Sequence, residues 1–280
     1  MGRVRRLLKL MGDHPVKTVC ILVGLFLLYQ LLTLPYFSIA KLRTQNPVET
    51  ALMEQRMQEA EQGGKTLRIA QRWVPLTRIS RNLIDAVIVA EDGTFYTHGG
   101  VDWFEVKESI EKNIDERRAA RGASTITQQL AKNLYLSTSK DPVRKLRELA
   151  ITLLLEHELT KDRILEIYLN VIEWGRGVFG VEAAAQTYFG KPASALTLEE
   201  ATRLAAIIPS PLRHRPTDDS RYVMRRKSIV LRRMEARFSI DQPQREENAS
   251  SDTVYQHPST EIPEEPEDST DIEEDANHGL

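Results

Sequence analysis

The chain has 280 residues, enough for one large domain or two small ones, and a formal net charge of −2. That charge averages two unlike parts, because residues 241–280 hold 13 acidic side chains and one basic one, which leaves about +10 on residues 1–240. A basic body suits an anionic partner, such as nucleic acid, an acidic membrane or a phosphate-bearing substrate. Cys20 is the only cysteine, which excludes a disulfide within the chain and a cysteine-based metal site.

The N-terminal region has the pattern of a membrane anchor. Residues 1–17 are basic and predict a cytoplasmic N-terminus, and residues 18–36 form an uncharged stretch long enough for one transmembrane helix. A cleaved signal peptide is the alternative, since residues 38–40 resemble a small-x-small cleavage site. The apolar stretch is longer than a usual signal core, which favours the uncleaved anchor.

The rest of the chain predicts one mainly helical domain over residues 67–238. Before it, residues 37–66 are polar and helix-prone, with a break at Gly63-Gly64, and are interpreted as a juxtamembrane tether. A helix is predicted from Asn82 to Ala90 with Ser80 as its N-cap, although the apolar run at its end also fits a strand. Residues 122–134 begin polar and are predicted to finish as a helix, and further helices are predicted over 103–120, 142–158, 161–171, 181–188, 198–208 and 221–238.

Two further predictions concern the buried face of one helix and the C-terminal tail. The helix over 142–158 is expected to bury four leucines, namely Leu146, Leu149, Leu153 and Leu154. Residues 239–280 are acidic and carry several prolines with almost nothing to bury, so they are predicted to form a disordered tail.

Three polar clusters are candidates for chemistry. Residues 91–100 combine two carboxylates, a histidine and two aromatic residues, and Glu91 is placed at a helix C-terminus, where the dipole raises a carboxylate pKa, as a general base requires. Residues 124–133 begin a helix with many hydroxyl and amide donors, although an ordinary N-capped helix explains them equally well. Arg144, Lys145 and Glu148 form either a surface ion-pair cluster or a cationic site beside a carboxylate.

Together, the clusters predict glycosyl chemistry with an anionic leaving group. A pair of carboxylates is the usual equipment for reaction at an anomeric carbon. Cations beside one of them suit a departing phosphate better than a departing sugar hydroxyl.

The same clusters carry the motifs of a known family, and the chain resembles the peptidoglycan glycosyltransferases of the lysozyme-like fold, in their monofunctional form. The first motif, Glu-Asp-x-x-Phe-x-x-His-x-Gly, matches Glu91 to Gly100. The second is Gly-x-Ser-Thr-Ile-Thr-Gln-Gln followed by Lys-Asn, and the third is Arg-Lys-x-x-Glu. The second and third motifs match Gly122–Asn133 and Arg144–Glu148. The family's fourth and fifth motifs match Ile164–Asn170 and Gly177–Gly190.

The resemblance implies a mainly α, two-lobed, lysozyme-like domain that polymerises lipid II into glycan strands, after one transmembrane helix. It implies that Glu91 deprotonates the acceptor sugar and that Glu148 assists departure of the pyrophosphate, directly or through a metal. The substrate-binding residues that it implies are Asp92, Phe95, His98, Ser124, Thr125, Gln128, Lys132, Asn133, Arg144, Lys145 and Asn170.

The resemblance also sets expectations for cofactors, partners and location. A divalent cation, Mg²⁺ or Mn²⁺, is expected without a dedicated metal cage, and no organic cofactor is expected. The partners implied are lipid II, the growing glycan strand, the membrane and wall-synthesis or cell-division proteins, but no nucleic acid. The location implied is the cytoplasmic membrane, with the catalytic domain on its outer, periplasmic side. The rival functions are a lysozyme-like hydrolase of the same polymer and an inactive membrane-anchored scaffold.

Overall fold

A computed structural model describes residues 15–116, 124–138 and 141–252, with side chains described for residues 15–109, 124–138 and 141–237. The chain divides into one unit of residues 1–236, which holds the sites discussed below, and a second unit of residues 237–280. The α-helices are α1 (Pro15–Leu32), α2 (Tyr36–Lys41), α3 (Ala51–Gln62), α4 (Arg81–Glu91), α5 (Trp103–Glu116), α6 (Ile126–Tyr135), α7 (Pro142–Glu158), α8 (Lys161–Val171), α9 (Val181–Phe189), α10 (Leu198–Ile207) and α11 (Arg221–Asp252).

Helix α1 is compatible with a single-pass membrane anchor. Its 18 residues span about 27 Å at 1.5 Å per residue, and its apolar side chains are exposed. The helix ends before Pro35, and the short helix α2 follows. Gln30, a polar residue within the apolar stretch, accepts a hydrogen bond from Arg147 of α7 at 2.7 Å, which ties the end of α1 to the rest of the unit. The basic residues before Pro15 lie outside the described part of the chain.

The segment interpreted as a tether is folded against the domain. Thr50 caps helix α3 through its side chain, and Leu52 and Met53 are buried. Arg56 of the same helix forms an ion pair with the buried Glu173 at 2.9 Å. Residues 51–62 therefore pack as part of the folded unit instead of forming a free linker, while the domain boundary at residue 67 stays a prediction.

The core is built around helix α4. Residues 83–89 are buried on every side of this helix, so the apolar run that also fitted a strand is helical. Helix α10 packs along α4, and helices α6, α7 and α8 pack on one another beside it. Ser80 lies at the N-cap position as predicted, but its hydroxyl donates to the carbonyl oxygen of Leu196 and does not cap the helix. This arrangement is the mainly helical fold that the sequence predicts.

A small sheet accompanies the helices, although no strand pattern persists in the sequence. It contains β1 (Ala70–Gln71), β2 (Glu173–Gly175) and β3 (Val178–Phe179), in the order β1-β3-β2. Strand β1 pairs with β3 in parallel and β2 pairs with β3 antiparallel. Strands of two or three residues are too short to leave a detectable periodicity in the sequence.

The buried face of helix α7 differs from the prediction. Glu148, Ile151, Thr152 and Leu155 are buried, whereas two of the four leucines expected inside, Leu146 and Leu153, are exposed. The prediction was wrong for Leu146 and Leu153 because it assigned the leucines to the core by their hydrophobicity alone.

Two predicted boundaries also change. Helix α11 continues to Asp252, beyond the predicted end at residue 238, since residues 244–249 include several good helix formers. The remaining part of the predicted tail, residues 253–280, lies outside the described residues. Helix α5 is described to Glu116, and the rest of its predicted length, to residue 120, also lies outside them.

Candidate active site

Glu91 is the last residue of helix α4, as the sequence predicts. Its side chain is about one tenth exposed, and burial raises the pKa of its carboxyl group above the ordinary value. A hydrogen bond from Gln129 and the charges of Arg226, Lys132 and Arg233 lower that pKa, but they are smaller effects than burial. The result is a carboxylate with increased affinity for a proton, which is the property of a general base.

A buried hydrogen-bond chain orients this carboxylate. The Gln129 side-chain amide donates to Oε2 of Glu91 at 2.9 Å, and the hydroxyl of Tyr168 donates to the other end of the same amide at 2.9 Å. Tyr168 is fully buried on helix α8. Because the tyrosine hydroxyl donates to the amide oxygen, the amide nitrogen is left to face Glu91. The sequence prediction did not assign a role to Gln129 or Tyr168.

The basic helix α11 approaches Glu91 from another side. Arg226 lies 3.8 Å from Oε1 of Glu91, and its Nε donates to the carbonyl oxygen of Ala206 at 3.0 Å. Arg233 donates to the carbonyl oxygen of Val89 at 3.2 Å. That carbonyl belongs to the last turn of α4, where backbone acceptors have no partner within the helix. Helix α11 therefore stabilises the helix end that carries Glu91, a role that its basic sequence alone does not reveal.

Glu148 has a different environment. It is buried on helix α7, and its two carboxylate oxygens accept from Arg144 and from Lys145, the first at 2.5 Å. The predicted cluster therefore forms as a direct ion-pair group. A buried carboxylate with a cation on each oxygen is satisfied, and its main effect is to hold the two cations in place.

Lys132 is influenced by the charges of both carboxylates. Burial lowers the pKa of its ammonium group, the charge of Glu148 opposes that effect most strongly, and Glu91 also contributes. Its side chain forms no hydrogen bond or ion pair with any residue that the structure describes. Together with Arg144 and Lys145, Lys132 forms a group of three cations on one side of Glu91. We call these three residues the cation cluster.

Asp92 and His98 join the first two motifs. His98 Nδ1 accepts from the backbone N–H of Gly100 at 3.1 Å, so its Nε2–H donates to Asp92 at 2.9 Å. The second oxygen of Asp92 accepts from the backbone N–H of Ile126, in the first turn of helix α6, at 3.0 Å. Both side chains were predicted to bind substrate. Their polar atoms bond within the chain and position the start of α6 beside Glu91, and their role in substrate binding stays a prediction.

Thr125 and Gln128 form the capping box of helix α6. The Thr125 side chain accepts from the backbone N–H of Gln128, and the Gln128 side chain accepts from the backbone N–H of Thr125 at 3.1 Å. The Thr125 hydroxyl donates to the carbonyl oxygen of Gly100. Gly100 has φ of +90°, and a Cβ there would approach the side chains of Thr152 and Glu156 to 2.8 Å, so only glycine fits. Thr125 and Gln128 therefore support the site as parts of an N-capped helix, which is one of the two explanations that the sequence allows.

The remaining predicted substrate-binding residues divide between the interior and the surface. Phe95 is fully buried against Tyr96 and under the ammonium group of Lys161, so it packs in the core, and its role in substrate binding stays a prediction. Asn170 is also fully buried and bonds to both backbone groups of Val74. Ser124 is exposed at the start of α6, and Asn133, on the same helix, is buried.

The side chains present do not fit a resident divalent cation. Within the described residues, no group of three or more histidine, cysteine, aspartate or glutamate side chains is arranged to hold a metal. Glu148, the carboxylate proposed to act through a metal, has both oxygens bound to cations of the chain. The positive charge at the site comes from the cation cluster.

Comparison with known proteins identifies the family of this chain. The transglycosylase family model matches residues 55–235. This chain belongs to the transglycosylase family. The match begins within helix α3, so the transglycosylase region includes most of the packed helix that was interpreted as a tether.

The relatives match most of this chain and most of their own length. A biosynthetic peptidoglycan transglycosylase of Herminiimonas arsenicoxydans is 44% identical over 189 residues, 68% of this chain and 82% of the relative. One from Neisseria gonorrhoeae is 43% identical over 212 residues, 76% of this chain and 90% of the relative. One from Laribacter hongkongensis is 42% identical over 219 residues, 78% of this chain and 95% of the relative.

Proposed function

We propose that this chain is a peptidoglycan glycosyltransferase that polymerises lipid II into glycan strands. Glu91 takes the proton from the 4-hydroxyl of the acceptor sugar. The hydroxyl oxygen then forms a bond to the anomeric carbon of the donor, with inversion. The bond from that carbon to the pyrophosphate oxygen breaks, and undecaprenyl pyrophosphate leaves with the electron pair.

The observation that carries this proposal is the position of Lys132. A largely buried ammonium group without a partner among the described residues is costly unless an anion binds it. It lies within electrostatic reach of both carboxylates and of the two cations that Glu148 holds. A departing pyrophosphate would complete this site, whereas hydrolysis of a glycan releases no phosphate.

The two glutamates would therefore have separate tasks. Glu91 is the general base, and Gln129 and Tyr168 orient it. Glu148 assists the leaving group by fixing the positions of Arg144 and Lys145, which stabilise the negative charge that develops on the pyrophosphate. Ser124 and Asn133 would contact the substrate, as the resemblance implies, and Asp92, Thr125 and Gln128 position the two motifs.

Helix α1 suggests where in the cell the proposed enzyme would act. Helix α1 would hold the catalytic domain at the cytoplasmic membrane, with the N-terminus inside and the domain on the periplasmic side. A lipid-carried substrate explains why an enzyme with a basic body is held at a membrane. Wall-synthesis or cell-division proteins are its candidate protein partners, and the acidic tail beyond residue 238 is outside the proposed catalytic domain.

A single assay separates the three functions considered. The full chain, purified in detergent, is incubated with labelled lipid II and, separately, with preformed glycan strands. A glycosyltransferase yields polymer, a hydrolase shortens the strands, and a scaffold binds lipid II without changing it. Failure to produce polymer, with lipid II bound, would contradict the proposal.

A further inference from the structure

The outer side of helix α7 carries apolar residues that the core does not use. Leu146 and Leu153 are 46% and 51% exposed, although the opposite side of the same helix is buried. They lie seven positions apart, which is about two helical turns, so they share one side of α7. Residues 142, 143, 149 and 150 extend the same side, and they carry no charge. We call these six positions the leucine stripe.

Arg147, which follows Leu146, joins α7 to the end of helix α1. Its guanidinium group donates to the side-chain oxygen of Gln30 at 2.7 Å, and to the hydroxyl and carbonyl oxygens of Thr33 at 2.8 and 3.1 Å. The last carbonyl groups of a helix lack partners within it, and Arg147 supplies one for α1. Since Gln30 and Thr33 lie where the apolar stretch ends, the start of α7 is held within one arginine side chain of that end.

The other end of α7 contacts the segment that follows α1. Arg43 forms an ion pair with Glu158 at 2.7 Å, and its Nε donates to the carbonyl oxygen of the same residue at 3.0 Å. Arg147 and Glu158 are 11 positions apart, which is about three turns, so both face this segment. Helix α2, which lies between the two contacts, packs on α7 and buries Ile39. Helix α7 therefore runs beside residues 33–43 from its first turns to its last residue.

The leucine stripe and the reactive groups occupy different sides of α7. Successive residues of an α-helix are turned by about 100°. Leu146 and Leu153 are therefore about 100–120° from Arg147 in one direction, and Glu148 is about 100° from it in the other. The stripe borders the side of α7 that contacts α1 and lies away from the side that carries Glu148.

The surface around the stripe has the composition of a membrane interface. Phe37 of α2 is 87% exposed, and Tyr36 before it is also exposed. Aromatic residues are enriched where a membrane meets water. Lys41 of α2 and Lys145 of α7 are exposed as well, and lysines attract anionic lipid headgroups. Apolar side chains beside aromatic and basic ones are typical of a helix that lies in the plane of the interface.

We propose that the leucine stripe contacts lipid, so that helix α7 lies at the boundary between headgroups and acyl chains. The inference takes α1 as the membrane anchor, as proposed above, and it does not depend on the reaction. Lipid that surrounds the end of α1 is already beside the stripe and needs no separate recruitment. For the proposed reaction the consequence is that α7 holds the cations Arg144 and Lys145 at headgroup depth, where the pyrophosphate of a lipid-carried substrate lies.

The test places a fluorophore on the stripe of the full chain. Cys20→Ser removes the native thiol, and Leu146→Cys or Leu153→Cys then carries a single nitrobenzoxadiazole label. Each chain is reconstituted at one copy per nanodisc of phosphatidylethanolamine and phosphatidylglycerol, with or without a lipid that bears a nitroxide near the headgroup end of its acyl chain. Both labels should lose about half or more of their fluorescence to the nitroxide, since an interfacial helix buries its apolar side at this depth.

The matched controls are Leu198→Cys and Leu212→Cys in the same background. These leucines are 41% and 47% exposed, which is close to the values on the stripe. Leu198 lies on α10, which packs on α4, and Leu212 lies in the turn before α11. Their labels should keep their fluorescence, since single exposed leucines are normal on a surface that faces water. Circular dichroism checks that all four labelled chains fold.

The proposal is overturned if the nitroxide lipid quenches the stripe labels no more than the control labels. Iodide in the water then shows what covers the stripe instead. Stripe labels that iodide reaches are exposed to water. Labels that are protected from iodide only when several copies share a nanodisc are covered by a second copy of this chain.

Polymerisation of lipid II by the unaltered chain is measured in parallel. A chain that polymerises lipid II but shows no quenching at the stripe refutes only the lipid contact. A chain whose stripe labels are quenched but that makes no polymer refutes the proposed function and leaves the lipid contact established.

Discussion

Glu91 and Glu148 are two buried glutamates of one folded unit with opposite environments. Glu91 receives a hydrogen bond from one neutral amide, and the guanidinium group of Arg226 lies 3.8 Å from its carboxylate. Glu148 is bound directly by two cations. The same side chain is therefore left reactive at the end of α4 and neutralised on α7.

The difference shows how partners decide the role of a carboxylate. Burial without a bound cation raises the pKa of Glu91 and makes it a stronger base, at a cost in stability. Direct ion pairing at Glu148 uses up its acceptor capacity and places two cations beside Lys132. Each of the following changes tests one side of this comparison.

The largest effect is expected from Glu91→Gln. Loss of the general base should lower the rate of lipid II polymerisation by about 10²–10⁴-fold, because the amide cannot accept the acceptor's proton. Glu105→Gln, at an exposed position on α5, is the matched control and should leave the rate unchanged. Normal polymerisation by Glu91→Gln would show that another group is the base.

Stability should respond to the two glutamates with opposite signs. Glu148→Gln should lower the free energy of unfolding by about 1.5–3 kcal/mol, the usual value of a hydrogen bond to a charged group. Glu91→Gln should leave it unchanged or raise it by about 0.5–2 kcal/mol, because a buried functional charge is removed. Denaturant unfolding of both variants at pH 7 measures the contrast. A change of the same sign in the free energy of unfolding of both variants would contradict the expected contrast between the two glutamates.

Tyr168→Phe tests the hydrogen-bond chain. Without the hydroxyl, nothing fixes the orientation of the Gln129 amide, and polymerisation should slow by about 2–10-fold, which corresponds to one hydrogen bond. The acidic limb of the pH–rate profile should also move to higher pH, since the Gln129 bond lowers the pKa of Glu91. Tyr135→Phe, whose hydroxyl bonds to Ser38, is the control and should leave the profile in place. A slower rate with an unchanged profile would indicate a purely structural role.

Arg226→Met tests the more distant cation. Its charge lowers the pKa of Glu91, so its loss should move the acidic limb to higher pH, with little change in the plateau rate. Arg232→Met, at an exposed position on the same helix, should not move it.

The raised pKa of Glu91 also determines how the free energy of unfolding depends on pH. Glu91 costs nothing below pH 4.5, where it is protonated in both states, and the cost grows as the pH rises through its folded-state pKa.

The smallest effect is expected from ending the chain after Asp241. The family match ends at residue 235, and the site residues described above all precede that point. Polymerisation should therefore change less than about 2-fold, within the range of changes away from a site. A truncated chain that folds, as judged by its circular dichroism, but makes no polymer would place the tail within the working enzyme.

The sequence by itself determined the features that depend on local order. Helix caps and hydrophobic periodicity located most helices to within a few residues, including α8 and the capping box of α10. Ordered motifs identified the family and placed Glu91 at a helix end. These signals are carried by residues close together in the chain, where propensity and capping act.

Only the tertiary structure decided which groups meet. The chain from Tyr168 through Gln129 to Glu91 joins residues 38 and 39 positions apart, and no local pattern encodes it. Leu146 and Leu153 of α7 were mispredicted as buried, and ion pairing allows Glu148 inside. Thr125 and Gln128 form the capping box of α6, and their role in substrate binding stays a prediction. In each case the deciding contacts come from elements distant in sequence or from local polar geometry, which the list of residue types does not specify.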